Sequence, residues 1–301
     1  MDELFVANIP DLAQWGELTS YLQDEPRPHL CTTLEVTVAQ SLPQYKHIVQ
    51  EMALSIASAR LNSHYLDMWK NKVNSQQKLS AEDRSLIARA LARGICHLSN
   101  FSQHETPTCN VEHFKGHIVE VLLYCLRVYV GNNGNDKPCI FQPPFPKATP
   151  TTGGIDLFEV GETEDEFYFH IWECKGTDGS VKSAFRIAAK QLCDPESTTY
   201  QSFMEAYRCL IENDLLSTND SLSDYVGDMP RKFYSPSPDG SKRLGATIGT
   251  GSNYTLSCTH SFSEKIGDSV GSGHTNCQTV IIKIIDFPQF RQDVFQYLWN
   301  I

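Results

Sequence analysis

The chain has 301 residues, enough to bury one large core or two modest ones. Hydrophobic residues at 41% and charged residues at 20% exclude a disordered or fibrous protein. The net charge of −11 argues against a chain that holds nucleic acid by bulk electrostatics, because phosphate binding wants a basic footprint.

The opening stretch MDELFVANIPDLAQW is acidic and has no basic n-region, so no secretory leader is expected. No apolar run reaches the length of a bilayer span. TTLEVTVAQSL alternates like a strand, and LPQYKHIVQEMALSIASARLNSHYLDMWKNKV reads as a long helix. SAEDRSLIARALARGICHL opens on Ser80, an expected N-cap. Residues 1–105 therefore read as a mostly helical N-terminal region, a scaffold or partner-docking layer without legible chemistry.

From residue 110 the pattern changes. VEHFKGHIVEVLLYCLRVYV has helical spacing, and GNNGNDKPCIFQPPFPKATPTTGG has the composition of turns and extended chain. IDLFEV and EFYFHIWECKG read as two strands of a hairpin around GETEDE. Ser180 caps the next helix, SVKSAFRIAAKQL, and SFMEAYRCLIENDLL is a further helix. Beyond a polar stretch at 217–243, RLGATIGT, YTLSCTHSF and TVIIKIIDF read as strands, and PQFRQDVFQYLWN closes the chain as an amphipathic helix. The order predicts a mixed α/β domain over 106–301.

The ten cysteines include no C-x-x-C pair and several lie in apolar runs, which fits free thiols in a reducing cytoplasm. Cys258, His260, His274 and Cys277 make a loose C-x-H and H-x-x-C set whose spacing fits no ordinary zinc knuckle. His113, His117 and Glu120 share a helix face but lack the H-E-x-x-H spacing, and the two histidines read as solvent- or loop-facing. His170 lies three residues before Glu173 and faces away from it. GATIGTGSNYT lacks the Lys-Ser/Thr ending of a P-loop and reads as strand and turn.

One stretch concentrates chemistry. Residues 156–178 hold eight carboxylates against the single base Lys175, a density that repels phosphate unless divalent cations neutralise it. Period-two alternation puts Glu173 and Lys175 on one face of their strand and Cys174 on the other. Asp156 belongs to the preceding strand, after Gly153-Gly154, where the chain can bend closely. Glu120 lies on the long upstream helix, with Lys115 and Gly116 about one turn before it. Asp156 and Glu173 are hard oxygen ligands for Mg²⁺, with the backbone carbonyl of Cys174 as a third. Lys175 would orient or deprotonate water and offset phosphate charge, and Glu120 would complete a second metal site or position a water. The competing structural reading is a surface ion pair of little worth.

This arrangement resembles the PD-(D/E)XK nuclease superfamily: an acid on a helix, an Asp on a strand, Glu-x-Lys on the next strand, then a helix. Glu120, Asp156, Glu173 and Lys175 match that pattern within roughly 110–195, although Ile155 stands where a proline is usual. On the following helix Lys182, Arg186 and Lys190 recur every fourth residue as a basic stripe, expected to contact phosphate. Gln191 stands where some relatives carry a polar residue near the site. Within the superfamily, FKGHIVEVLLYCL, GGIDLFEV with WECKG, and VIIKIIDFPQFRQDVFQYLW look similar to the nuclease subunits of Hachiman-type anti-phage systems. The resemblance implies a restriction-endonuclease-like core and Mg²⁺ (or Mn²⁺) as cofactor. It also implies DNA as substrate, a helicase partner subunit and a bacterial cytoplasmic setting. The alternatives are a stand-alone restriction or repair endonuclease and a non-catalytic interaction subunit that keeps the fold.

Overall fold

A computed structural model describes residues 18–21, 31–41, 43, 45–75, 78–92, 96, 109–133, 137–142, 155–163, 166–193, 199–211, 216, 219–234, 242–270 and 276–300. Gly153, Gly154, His274 and the tip of the GETEDE turn at Glu164 and Asp165 lie outside them. In chain order the elements are β1 (Leu18–Tyr21), β2 (Cys31–Val38), α1 (Tyr45–Arg60), α2 (Ser63–Ser75), α3 (Ala81–Ala92) and α4 (Val111–Asn133). There follow β3 (Lys137–Gln142), β4 (Leu157–Glu162), β5 (Phe167–Thr177), α5 (Val181–Cys193), α6 (Thr199–Ile211) and α7 (Asp220–Tyr234). The chain closes with β6 (Lys242–Thr250), a 3-10 turn at Leu256–Thr259, α8 (His260–Val270), β7 (Asn276–Ile284) and α9 (Phe287–Leu298).

The strands form one mixed sheet in the order β1-β2-β7-β6-β5-β4-β3. β3, β4 and β5 are an antiparallel meander, and β5, β6, β7 and β2 run parallel. Parallel neighbours need crossovers, and the helices that supply them cover the sheet on both sides. Val38, Trp172, Cys174, Val280 and Ile282 pack with α1, α4 and α9 on one side. Phe158, Phe169, Ile171, Ala246 and Ile248 pack with α5, α6, α7 and α8 on the other. Alternation along β5 thus sends even-numbered side chains to the α4 side and odd-numbered ones to the α5 side. Among the described residues no helix is long and apolar enough to cross a membrane.

The region before residue 106 shares this sheet and core. β2 pairs with β7 from Cys31–Cys277 to Val38–Ile284. The Trp69 indole donates to the Leu298 carbonyl at 3.1 Å, and the Tyr45 hydroxyl donates to Asp293 at 2.7 Å. Both bonds tie the first helices to the last.

Four elements differ from the sequence reading. The expected long helix from residue 42 breaks at Leu61–Asn62, where the Asn62 side chain accepts the Tyr65 amide at 3.0 Å and starts α2 afresh. YTLSCTHSF, read as a strand, is the 3-10 turn and the start of α8, because Cys258, Phe262 and Ile266 recur at helical spacing and are buried together. The polar stretch at 217–243 contains α7. Asn219 accepts the Leu222 amide at 3.0 Å, and Leu222, Val226 and Met229 form its buried stripe. KPCIFQ is edge strand β3, where Pro138 is tolerated beside a register shift.

Candidate active site

The hairpin forms as its alternation predicts, closed by the Thr163 amide donating to the Glu166 carbonyl at 2.9 Å. Its β4–β5 ladder ends at Leu157–Trp172, while β5 runs on to Thr177, paired on its other side with β6. Glu173, Cys174 and Lys175 therefore stand on a strand segment that β4 does not pair, leaving an opening on that flank among the described residues. Asp156 sits at the start of that opening. Its amide still reaches the Trp172 carbonyl at 3.1 Å, and its carboxylate Oδ2 accepts the Cys174 amide at 2.6 Å. A side chain thus takes the place of the next ladder acceptor, in a short charge-assisted bond. The N–H and C=O of a strand residue point to the same lateral side, so the Cys174 carbonyl also faces the opening.

Asp156 and Glu173 are both buried, at 5% and 4% exposure. Buried carboxylates require compensating charge or donors, or they will not stay ionised. Glu173 Oε1 is held by the Lys175 ammonium, whose side chain remains 28% exposed. The Cys174 thiol turns to the α4 side and is buried, as alternation requires. Burial, then the charges of Asp156, Glu120 and Glu173, raise its pKa well above the ordinary thiol value, with Lys175 opposing. All four residues expected at the site thus lie within electrostatic reach of one thiol.

Glu120 arrives from α4, which crosses the sheet over two glycines paired in register, Gly176 and Gly249. A Cβ on Gly176 would sit 2.9 Å from the Lys115 carbonyl oxygen, and one on Gly249 would sit 2.3 Å from Val119 Cγ2. Helix and sheet approach this closely only because neither position has a side chain. Lys115, buried by this contact, bonds Asp178 at 3.0 Å just beyond β5. His117 corrects the sequence reading: it is buried, not solvent-facing, and its Nδ1 lies 3.2 Å from Glu120 Oε2. It shares a buried face of α4 with Phe114 and Val121, and Phe114 meets Phe295 of α9 there, whereas Lys115 and Val119 are the residues that meet the sheet glycines. His113, by contrast, is only part-buried. Arg60 at the end of α1 was not singled out by sequence. Burial lowers its pKa to about 10, and the charges of Glu120 and Cys96 oppose that shift. A lone Arg closing an otherwise apolar helix face was its only trace.

Behind the opening, on the same face as Trp172, lies a second charged group. Arg127 forks onto Glu159, with Nη2–Oε1 at 2.7 Å and Nε–Oε2 at 3.1 Å. His170 Nδ1 meets the same Oε1 at 3.1 Å, and its ring stacks on Trp172 at 4.1 Å. Burial alone would raise the Glu159 pKa, but the Arg127 charge and the His170 bond outweigh it and hold the carboxyl down to about 2. Burial lowers His170 to about 4 against the pull of Glu159, so the ring is neutral and donates from Nδ1. His170 faces away from Glu173, as its spacing predicts, and serves this structural group.

Lys182, Arg186 and Lys190 are exposed along α5 and make no ion pair among the described residues. Arg186 and Lys190 line an open groove of about 450 Å³ against Ser261, Glu264 and Lys265 of α8. Gln191 is half-buried at the margin of the stripe. Cys258 and Cys277 are buried, and neither is in a disulfide.

The donor set at the opening is hard oxygen, suited to Mg²⁺, and Asp156 and Glu173 supply two buried carboxylates beside a carbonyl. Among the described residues no three His, Cys, Asp or Glu side chains gather into a complete ligand group, so Glu120 does not join those two in one cage. Mg²⁺ suits such a partial set, because it commonly binds one or two carboxylates and completes its octahedron with water and substrate phosphate. The fold and site define a mixed α/β protein with an acidic opening at the carboxyl end of a parallel strand. No family model, curated protein or solved structure matches the chain.

Proposed function

We propose that this chain is a Mg²⁺-dependent deoxyribonuclease with a restriction-endonuclease-like core, hydrolysing phosphodiester bonds at the β4–β5 opening. The observation that carries the reading is the early end of β4 beside Glu173, Cys174 and Lys175, with the Asp156 carboxylate turned into the gap. The order of parts also agrees: an acid on α4, Asp156 before β4, Glu-x-Lys on β5, and α5 after it.

Asp156, Glu173 and the Cys174 carbonyl would hold the cation, which supplies charge stabilisation for the phosphoryl oxygens and activates water. Lys175 Nζ, kept in place by Glu173, points a positive donor at the attacking water or a phosphoryl oxygen. Glu120, braced by His117, orients solvent or a second cation at the α4 side. Lys182, Arg186 and Lys190 would carry the flanking phosphates on α5, with Gln191 beside them. Three such cations give little affinity against a net charge of −11. A separate subunit that delivers DNA fits this balance, and a helicase in an anti-phage complex is the partner the resemblance implies.

A non-catalytic scaffold is the second reading, favoured by the engagement of Glu173 with Lys175 and by the lack of a three-residue ligand group among the described residues. Purified chain, alone and with a helicase partner, is incubated with DNA in Mg²⁺, Mn²⁺ or EDTA. Metal-dependent cleavage is expected, with Lys175→Ala and Glu173→Ala each slowing it by roughly 100-fold or more at a temperature where circular dichroism shows both variants folded. Unchanged cleavage in both variants would falsify the site, and no cleavage in any metal or partner condition would favour the scaffold.

A further inference from the structure

Cys96 and Cys109 face each other across an isolated antiparallel β-bridge. Residues opposed in such a bridge have Cα atoms about 4.5–5.5 Å apart. That range falls inside the separation a disulfide spans, about 4.4–6.8 Å. Both sulfurs are free thiols here. Cys96 sits one turn past α3, its amide donating to the Ala92 carbonyl at 3.0 Å, and is buried. Cys109, two residues before α4 begins, is only part-buried. Burial raises Cys96 to about 12, with the Cys109 charge as the next cause, so the two sulfurs sense each other directly.

We propose that Cys96 and Cys109 are a disulfide-forming pair that reversibly staples the start of α4 to the end of α3. The oxidant is a small-molecule disulfide. The Cys109 thiolate, being the more accessible, attacks one of its sulfurs and releases one small thiol. The Cys96 thiolate then attacks the Cys109 sulfur of the mixed disulfide and releases the second. The two cysteine sulfurs lose two electrons between them, the oxidant gains both, and the two protons end on the released thiols. The raised thiol pKa values keep both sulfurs protonated near neutral pH, so the forward reaction is slow even when the oxidant is present. The staple closes a short loop and fixes the first turn of the helix that carries Lys115, His117 and Glu120. Arg60 feels the charges of both Cys96 and Glu120, so the pair and that helix share one electrostatic neighbour. None of this depends on the nuclease reading.

The full chain is equilibrated with glutathione disulfide, alkylated without reduction, and mapped by peptide mass spectrometry. A Cys96–Cys109 crosslink is expected, removed by dithiothreitol. It should be accompanied by a rise of roughly 5 °C in melting temperature and slower amide exchange at the start of α4. Cys109→Ala should lose the crosslink and the thermal gain together. Two alkylated thiols at these positions in the oxidised wild type, or a crosslink confined to another pair such as Cys31–Cys277, which β2 and β7 also set side by side, would overturn the proposal. The wild-type map decides the matter even where a variant misfolds.

Discussion

At the scale of single residues, the molecule separates two kinds of buried charge. Arg127 of α4 and His170 both bond the Glu159 carboxylate, forming a buried group. Asp156 instead spends its carboxylate on a backbone amide at the margin of an opening, and Glu173 holds a partly exposed lysine. The buried group sets the acid response. Glu159 titrates near 2 when folded and near 4.5 when unfolded, and His170 near 4 against 6.5. In both cases the unfolded chain binds more protons between the two values, so stability falls as pH drops through 6.5 to 4 and then from 4.5 towards 2. His170→Gln keeps a donor for Glu159 but removes the upper titration. Melting temperatures measured from pH 7 to pH 4 should decline less steeply in this variant than in the wild type. Equal slopes would mean that His170 is not the group responsible.

At the scale of elements, the site depends on how closely α4 rides on the sheet. Gly176→Val forces a Cβ against the Lys115 carbonyl, which as backbone cannot rotate away. Overpacking of this kind costs about 1–3 kcal/mol, read as a lower urea midpoint with little change in slope. Gly116→Ala on the same helix meets open space and should leave the midpoint within about 0.5 kcal/mol of wild type or above it. The β4–β5 hairpin and α5 were legible in the sequence, because alternation, a polar turn and the Ser180 cap all lie within a short stretch. Helix α7 was hidden behind polar neighbours and an internal Pro230, although Leu222, Val226 and Met229 already kept helical spacing. The start of α8 was misread because Thr and Ser serve a strand or a helix equally, and only the distant contacts of Phe262 and Ile266 decide between them. The burial of His117 was invisible for a related reason. Its helix face is covered by other helices, with neighbouring Phe114 packed on Phe295 of α9, and α9 lies far along the chain.

At the scale of the whole molecule, the division expected near residue 105 does not separate two cores. β2 lies in the sheet beside β7, and α1 and α2 are bonded to α9. Periodicity could place those helices but not their partner, since pairing of β2 with a strand more than two hundred residues later is set by the finished sheet. The chain carries a net charge of −11, and among the described residues Lys182, Arg186 and Lys190 form an exposed basic stripe on α5. The central claim is that the β4–β5 opening is a metal site serving phosphodiester hydrolysis. Its most direct test is anomalous diffraction from a crystal soaked in Mn²⁺. The account predicts a manganese peak bonded to Asp156, Glu173 and the Cys174 carbonyl, at about 2.0–2.2 Å if it occupies an Mg²⁺-like octahedron. An empty opening, with Glu173 still closed on Lys175 and Asp156 still on the Cys174 amide, would contradict it.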